Sequence, residues 1–564
     1  MKSKIGHHLW LGVFLCLHCW AGGPWAQTPP AAAIASAHPL ATEAGFEVLR
    51  KGGNAFDAAV AVAAALAVVE PAGSGLGGGG FFLLHRARDK REVMLDARER
   101  APLAARRDMY LDASGNVIPR LSIDGPLAAG IPGVPAALVH LAGHYGRLPL
   151  RVTLAPAIRH ARQGFVVSSG YLRQVRQRLP GLRKFPESAR IFLQDAQVPE
   201  PGFRLVQKDL AKTLEAIAEK GWAGFYRGRV AKHLVQAVRE AGGIWQSQDL
   251  ARYRVIEREP VTGWYRGARV TSASPPSSGG IVLLETLNIL SGFDLSHRDS
   301  IARKHWIVEA WRRAYRDRAL YLGDPDFIRM PLKRLLSLDY AAGLRAAIHP
   351  DKALPSAWLN PVPEVQDRGS NTTHFSILDR DGNRVAATLS INYLFGSGFV
   401  AKGTGVLLND EMDDFAIKPG VPNLYGLVGG EANAIAPGKR MLSSMTPTFV
   451  ETGTRLGILG TPGGSRIISM VTLAVLGFAD RMLPQTWVGW PRFHHQYLPD
   501  EIQYEPGALS AGEMEGLQKR GHRLRELKAP YGNMQAILWD KTINKVYAAS
   551  DPRREGMAKV EPTP

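Results

Sequence analysis

The segment NTTHFSILDRDGNRVAATLSINYLFGSG, residues 371 to 398, holds a threonine whose chemistry depends on whether the bond before it is intact. An internal threonine hydroxyl is a poor nucleophile at neutral pH and needs a neighbouring base. Cutting the Asn371–Thr372 bond supplies one, because a free α-amino group with a pKa of ~7.7–8.0 can take the Oγ proton directly or through one water. Backbone cleavage would thus both divide the chain and create its active site. The plainer reading is that a Thr-Thr pair merely begins a strand. Asn371-Thr372-Thr373 also fits a glycosylation sequon, which we read as chance beside a leader of bacterial type.

Other residues could serve such a nucleophile. Gly463-Gly464 precedes a helical pattern, where adjacent N–H groups and the helix dipole can stabilise an oxyanion, unless the pair is simply a tight turn. Ser443-Ser444 offers two hydroxyl donors suited to a carboxylate, or an ordinary serine turn. Glu411, Asp413 and Asp414 place three carboxylates within four positions. They lack the oxygen count and glycine of a calcium loop, so an ammonium group is the better ligand. Arg98 could grip a substrate carboxylate with two hydrogen bonds or form a surface ion pair. His374, His494 and His495 lack the spacing of a zinc site and read as structural; no metal or cofactor is implied.

The elements that would position these residues are readable in outline. Alternation from Thr373 to Asp379, a turn at Arg380-Asp381-Gly382-Asn383 and a second apolar run from Val385 to Ile391 predict a hairpin that Thr372 opens. Ahead of it, Pro350, Pro355, Pro361 and Pro363 lead into Gln366 to Ser370, a loop free to leave once cut. Residues 41 to 69 predict two helices broken at Gly52-Gly53-Asn54, the second buried. Gly73, Gly75 and Gly78 satisfy a dinucleotide fingerprint, but the run follows a helix and precedes the strand Phe81 to Leu84, the reverse of what that fingerprint requires. Residues 110 to 350 read mainly as helices and loops, with irregular breaks at 130 to 133 and 274 to 280. Arg455 to Gly460 reads as a strand and Ser465 to Ala479 as a helix. The mixture predicts a layered α/β (α+β) domain.

A 45% hydrophobic, 21% charged composition excludes disorder. Lys2, Lys4 and the apolar run Leu9 to Trp20 read as a signal peptide ending near Ala26, although Pro24 fits poorly; an uncleaved anchor is the alternative. Both cysteines, Cys16 and Cys19, lie in that leader, so the exported chain would carry no disulfide, a composition compatible with a periplasmic or secreted location. The net charge of +18 raises the question of an anionic partner. The charges of Arg303 to Leu322 fall opposite Trp306, Ala310, Trp311, Ala314 and Tyr315, so we read them as a solvated helix face rather than a nucleic-acid surface. Attraction of small anionic substrates remains open.

Together, TTHFS through NYLFGSG, NDEMDDF, PGVPNLYGLVGG, LSSM and TPGGSR resemble the gamma-glutamyltransferases, which are N-terminal-nucleophile hydrolases; the likeness runs from HPLATEAG to SDPR. The resemblance implies a four-layer αββα sandwich made as one precursor, with Thr372 attacking the Asn371 carbonyl. Residues 27–371 then form a large subunit and 372–564 a small one, paired as a heterodimer without a membrane span. It implies Thr372 as nucleophile and, through its amine, base, with Gly463 and Gly464 as oxyanion donors. Arg98, Ser443 and Ser444 are implied at the donor's α-carboxylate, Asn392, Glu411 and Asp414 around its α-amino group, and Tyr425 in a lid. Glutathione and other γ-glutamyl compounds are the implied donors, water, amino acids or dipeptides the acceptors.

Two positions depart from the family pattern. Ser390, beside the nucleophile, stands where threonine is usual and loses the methyl that stiffens χ1, an expectation of slower processing. Met441 replaces a proline before Leu442. Two rivals are a cephalosporin acylase acting on glutaryl chains, against which Asp414 argues, and an exported γ-glutamyl-peptide-binding protein that never matures.

Overall fold

The computed structural model describes residues 27–297, 301–359 and 372–562. Asn371, the leader with both cysteines, and the loop from Pro361 to Ser370 lie outside the described residues.

Strands β1 (Ala31–Ser36), β2 (Gly79–Arg86), β3 (Arg91–Ala97), β4 (Ile256–Arg258), β5 (Val261–Tyr265), β6 (Ala268–Ser272), β7 (Thr373–Leu378), β8 (Arg384–Ser390), β9 (Thr448–Glu451), β10 (Arg455–Gly460), β11 (Gln535–Asp540), β12 (Lys545–Ser550) and β13 (Met557–Pro562) make two antiparallel sheets. The first runs β13-β1-β7-β8-β2-β3-β4 and the second β12-β11-β10-β9-β6-β5. Helices α1 (Pro39–Arg50) and α2 (Ala55–Val69) cover the outer face of the first sheet. Helices α3 (Gly279–Leu290), α4 (Ile301–Tyr321) and α5 (Ile467–Ala479) cover that of the second. The result is the αββα sandwich.

Period-two alternation divides each strand between two cores. Along β7, Phe375 and Ile377 join α2 in the outer core, whereas His374 and Ser376 face the second sheet. Between the sheets, Ala33, Leu83 and Ala386 meet Phe449, Ile458 and Trp539. The hairpin turn is tied to the helix layer: Asp379 accepts hydrogen bonds from Asn383 N at 2.9 Å and from Ala55 N, at the start of α2, at 2.8 Å. Asn54 caps the same helix, accepting from Phe56 N and Asp57 N while Asp57 accepts from Asn54 N. The predicted pair of helices and the predicted hairpin therefore form one unit.

Two expectations are corrected. The stretch 110 to 350 is not only helix and loop, since β5 and β6 lie in it and form the edge of the second sheet. They flank Arg266-Gly267, a two-residue turn between β-branched runs that a hairpin reading would have caught. Helix α4 is present, but its charged residues are not a solvated face. Arg303, Glu309, Arg312, Arg313 and Asp317 are buried. Glu309 pairs with Arg312 at 3.1 Å and Arg313 at 2.7 Å. The charges sit i, i+3 and i, i+4 apart, so they neutralise one another inside the protein.

Candidate active site

The hairpin places Thr372 immediately before β7, buried at 5% exposure. Pairing of Leu389 with Thr373 continues the register so that Ser390, last residue of β8, lies opposite Thr372. Ser390 Oγ accepts a hydrogen bond from Asn392 N at 2.7 Å. That bond fixes the hydroxyl in place of the missing methyl. Asn392 adopts φ +71°, an unfavourable backbone for a side-chain residue, and is held there by its amide donating to Asp410 O at 3.0 Å.

Thr372 and Ser390 open into a small cavity that is also lined by Arg98, Asn392, Glu411, Asp414, Tyr425, Ser443, Ser444 and Gly464. Gly463 stands just behind Gly464 and does not line it. Both glycines have positive φ, +147° and +56°, and lead through a 3₁₀ turn into α5. A Cβ on Gly464 would lie 2.6 Å from the ring of Tyr425. That ring closes the cavity, its hydroxyl donating to Asn392 O at 2.9 Å.

The residues expected to bind opposite poles of a substrate are here bound to each other. Arg98, wholly buried, donates from Nη1 to Glu411 at 2.6 Å and from Nη2 to Asp414 at 2.5 Å. Its Nε donates to the Met441 carbonyl at 3.2 Å, so the residue at the second departure contributes a backbone oxygen. Burial lowers the pKa of Arg98, but the charges of Glu411, Asp414 and Glu99 outweigh it and hold the guanidinium cationic. Burial pushes Glu99 up to about 7 and raises Glu411 well above its usual range, against the pull of Arg98. Asp413 does not join this group: its carboxylate accepts from Ser122 Oγ at 2.7 Å and Leu424 N at 2.9 Å, anchoring the loop that carries Tyr425.

Several positioning residues were missed from sequence. The break at 274 to 280 is a splint for the serine pair: Ser443 N donates to Pro276 O at 2.9 Å, and Ser278 donates to Ser443 O from both N and Oγ, at 2.8 and 2.6 Å. Asn423 donates to Asp414 at 3.3 Å and accepts from Tyr425 N at 3.0 Å, linking the Tyr425 loop to the carboxylates. Only the proline and serine richness of the first segment hinted at this.

The histidines serve the scaffold. His374 is buried between Thr388 and Ser376 hydroxyls at 2.8 and 3.2 Å, and burial lowers it to about 3. Gly460 on β10 admits its ring, since a Cβ there would lie 2.2 Å from the imidazole. His494 bonds Ser469, and His495 bonds Asp500. His305, Glu309 and His522 cluster within 4.8 Å, but Arg312 and Arg313 occupy the Glu309 carboxylate and place positive charge where a cation would sit.

Glu70, the C-cap of α2, lies under Thr373, the neighbour of Thr372. Thr373 Oγ1 donates to it at 2.5 Å, and burial raises its carboxyl to about 7. A folded-state pKa above the unfolded value means that stability is full below the unfolded pKa of 4.5 and declines as pH rises toward 7. Glu70→Gln keeps an acceptor for Thr373 without the charge. It is expected to match the wild type near pH 4.5 and to be more stable by ~3 kcal/mol near pH 8.5, measured by denaturant unfolding. A variant that is no more stable at the higher pH would contradict a buried, uncompensated carboxylate.

The gamma-glutamyltranspeptidase family pattern matches residues 41–561. A glutathione hydrolase proenzyme of Pseudomonas sp. (strain A14) is 47% identical over 535 residues, 92% of this chain and 92% of that one. A Helicobacter pylori gamma-glutamyltranspeptidase structure superposes with a TM-score of 0.57 at 42% identity, over 60% of this chain and 97% of that one. A cephalosporin acylase from Bacillus halodurans superposes at 0.83 with 28% identity, over 97% of this chain and 99% of that one.

Proposed function

This chain belongs to the gamma-glutamyltranspeptidase family, and on that premise we propose that Thr372 first cuts the chain and then acts as nucleophile on glutathione and related γ-glutamyl amides. In maturation, Thr372 Oγ attacks the Asn371 carbonyl, the acyl group passes from nitrogen to oxygen, and water hydrolyses the ester. The proton lost from Oγ passes to the amide nitrogen, which leaves the carbonyl as the free amine. In turnover, that amine takes the Oγ proton as Oγ attacks the donor γ-carbonyl, while N–H groups at Gly463 and Gly464 receive the oxyanion. The amine leaves with a proton, and water, an amino acid or a dipeptide accepts the γ-glutamyl group.

The donor's ammonium goes to Glu411, Asp414 and Asn392, and its carboxylate to Arg98, Ser443 and Ser444. It exchanges one set of buried ion pairs for another, so no charge is left without a partner. Fragments 27–371 and 372–564 stay together as a heterodimer. This is supported by the first sheet, where β7 and β8 from the second fragment lie between β1 and β2 from the first. No described helix is long and apolar enough to cross a membrane. The basic start and apolar run of the leader support export to the periplasm or beyond.

The observation that carries this reading is a buried pocket at the head of β7 where Thr372 and Gly464 stand beside a guanidinium paired with two carboxylates. The test is an intact-mass spectrum together with hydrolysis of γ-glutamyl-anilide and glutaryl-anilide. We expect two fragments separated before Thr372 and a clear preference for the γ-glutamyl compound. One uncut chain would leave a binding protein, and a glutaryl preference would make it an acylase like the Bacillus halodurans protein.

A further inference from the structure

At the serine end of the pocket lies a buried cation that no carboxylate contacts among the described residues. Arg318, on the last turn of α4, is 5% exposed. Its Nε donates to Ser278 Oγ at 2.9 Å and its Nη2 to Ser444 Oγ at 3.2 Å. Among the described residues no carboxylate oxygen lies within 4.0 Å of its guanidinium. Several other buried arginines do meet one: Arg98 pairs with Glu411, Arg313 with Glu309 and Arg492 with Asp551. Arg455, equally buried, is met by the carbonyls of Phe478 and Met482 instead and lines no substrate cavity. A buried charge without a counter-ion is costly, and is retained where a ligand supplies the opposite charge.

The hydrogen bonding around Arg318 is consistent with an absent acceptor. Ser444 Oγ accepts from Arg318, and Ser443 Oγ accepts from Met445 N at 3.1 Å. Among the described residues neither hydroxyl hydrogen has an acceptor, and both serines line the cavity. Through Ser278, which donates to Ser443 O, the same guanidinium also braces the backbone of the other serine. One side chain thus holds the hydroxyl of Ser444 and, through Ser278, the backbone of Ser443. Arg98 is already engaged by Glu411 and Asp414, whereas no carboxylate contacts Arg318 among the described residues. Burial lowers Arg318 to about 10, with Asp414 opposing that shift, which leaves it charged at neutral pH.

We propose that Arg318 is a positioning residue that sets donor specificity: acting through Ser278 and Ser444, it supplies a positive charge that no carboxylate contacts and the oriented Ser444 hydroxyl, which together select an acyl donor bearing an α-carboxylate. The inference rests on the γ-glutamyl reading of the pocket. Arg318 does not touch the scissile bond, so its loss weakens binding of one functional group and spares the chemistry. A purely structural staple would instead weaken all substrates together.

The test compares Arg318→Gln with the wild type on γ-glutamyl-anilide and on 4-aminobutyryl-anilide, the same acyl chain without its α-carboxylate. Mass spectrometry first checks that the variant matures. For the γ-glutamyl compound we expect KM to rise roughly 30-fold with kcat within about threefold, as befits a lost charged hydrogen bond. For the 4-aminobutyryl compound kcat/KM should change less than about threefold, so the preference for the carboxylate collapses. An unchanged preference, or equal losses on both substrates, overturns the inference. If Arg318→Gln does not mature, Arg318→Lys, which keeps the charge but not the two-pronged contact, takes its place. It should raise KM roughly fivefold for the γ-glutamyl compound alone, and equal losses again overturn the proposal. A wild-type enzyme inactive on γ-glutamyl-anilide would instead defeat the reading of the pocket.

Discussion

Replacing Thr372 with valine is expected to leave the protein as one uncut chain with activity reduced at least ~10⁴-fold. Valine matches threonine in shape and differs by the hydroxyl, and the position is 5% exposed, so packing at the head of β7 should survive. The local cost is that of one buried polar contact, ~1–3 kcal/mol, too small to unfold a typical domain. On the proposed mechanism both steps fail for the same reason, because the atom assigned to attack the Asn371 carbonyl is the atom assigned to attack the donor. Thr372→Ser should still be cut and still turn over, since serine keeps the oxygen. A denaturing gel and an anilide assay on the two variants decide the matter. Cleavage at the same bond in the valine protein would mean that another group performs maturation.

Replacing Asp414 with asparagine is expected to lower kcat/KM for γ-glutamyl-anilide by ~10²- to 10³-fold while costing glutaryl-anilide less than about tenfold. Asp414 bears one of the two carboxylates that hold Arg98, and it is the one that also meets Asn423 of the lid loop. In the complex we assign it to the donor's ammonium, which the glutaryl compound lacks. Removing its charge therefore penalises the substrate with an amine and spares the one without. Parallel losses on both substrates would show that Asp414 serves chiefly to hold Arg98 and the lid. The comparison uses two substrates of one protein, so a change in folded fraction cancels from the ratio.

The hairpin around Thr372 was legible because alternation and a turn sequence are local properties, and β7 and β8 fall where the pattern places them. Helices α1 and α2 were legible for the same reason, through caps and alanine content. The strands β5 and β6 were overlooked inside a helical stretch, where a two-residue turn was the only mark. The charges of α4 were misplaced because hydrophobic spacing finds an apolar stripe but cannot say what covers the opposite side. In this fold α3, α5 and the segment after α4 bury that side, and the charges answer one another.

At the site, the residue types were readable and their relations were not. Sequence resemblance named Arg98, Asn392, Glu411, Asp414, Tyr425, Ser443, Ser444 and Gly464, and the fold gathers them around one cavity with Thr372 and Ser390. Nothing in the order of residues said that Arg98 would be paired with Glu411 and Asp414, that Asp413 would turn away to Ser122, or that Arg318 would reach the serines from a helix more than a hundred positions earlier. Local pattern, a threonine at the head of a strand and the hairpin that frames it, is written in neighbouring residues and can be read without the rest of the chain. Which charges face each other, and which face none, is fixed only when distant segments are brought within hydrogen-bond reach inside a medium of low dielectric, where each unpaired group is costly.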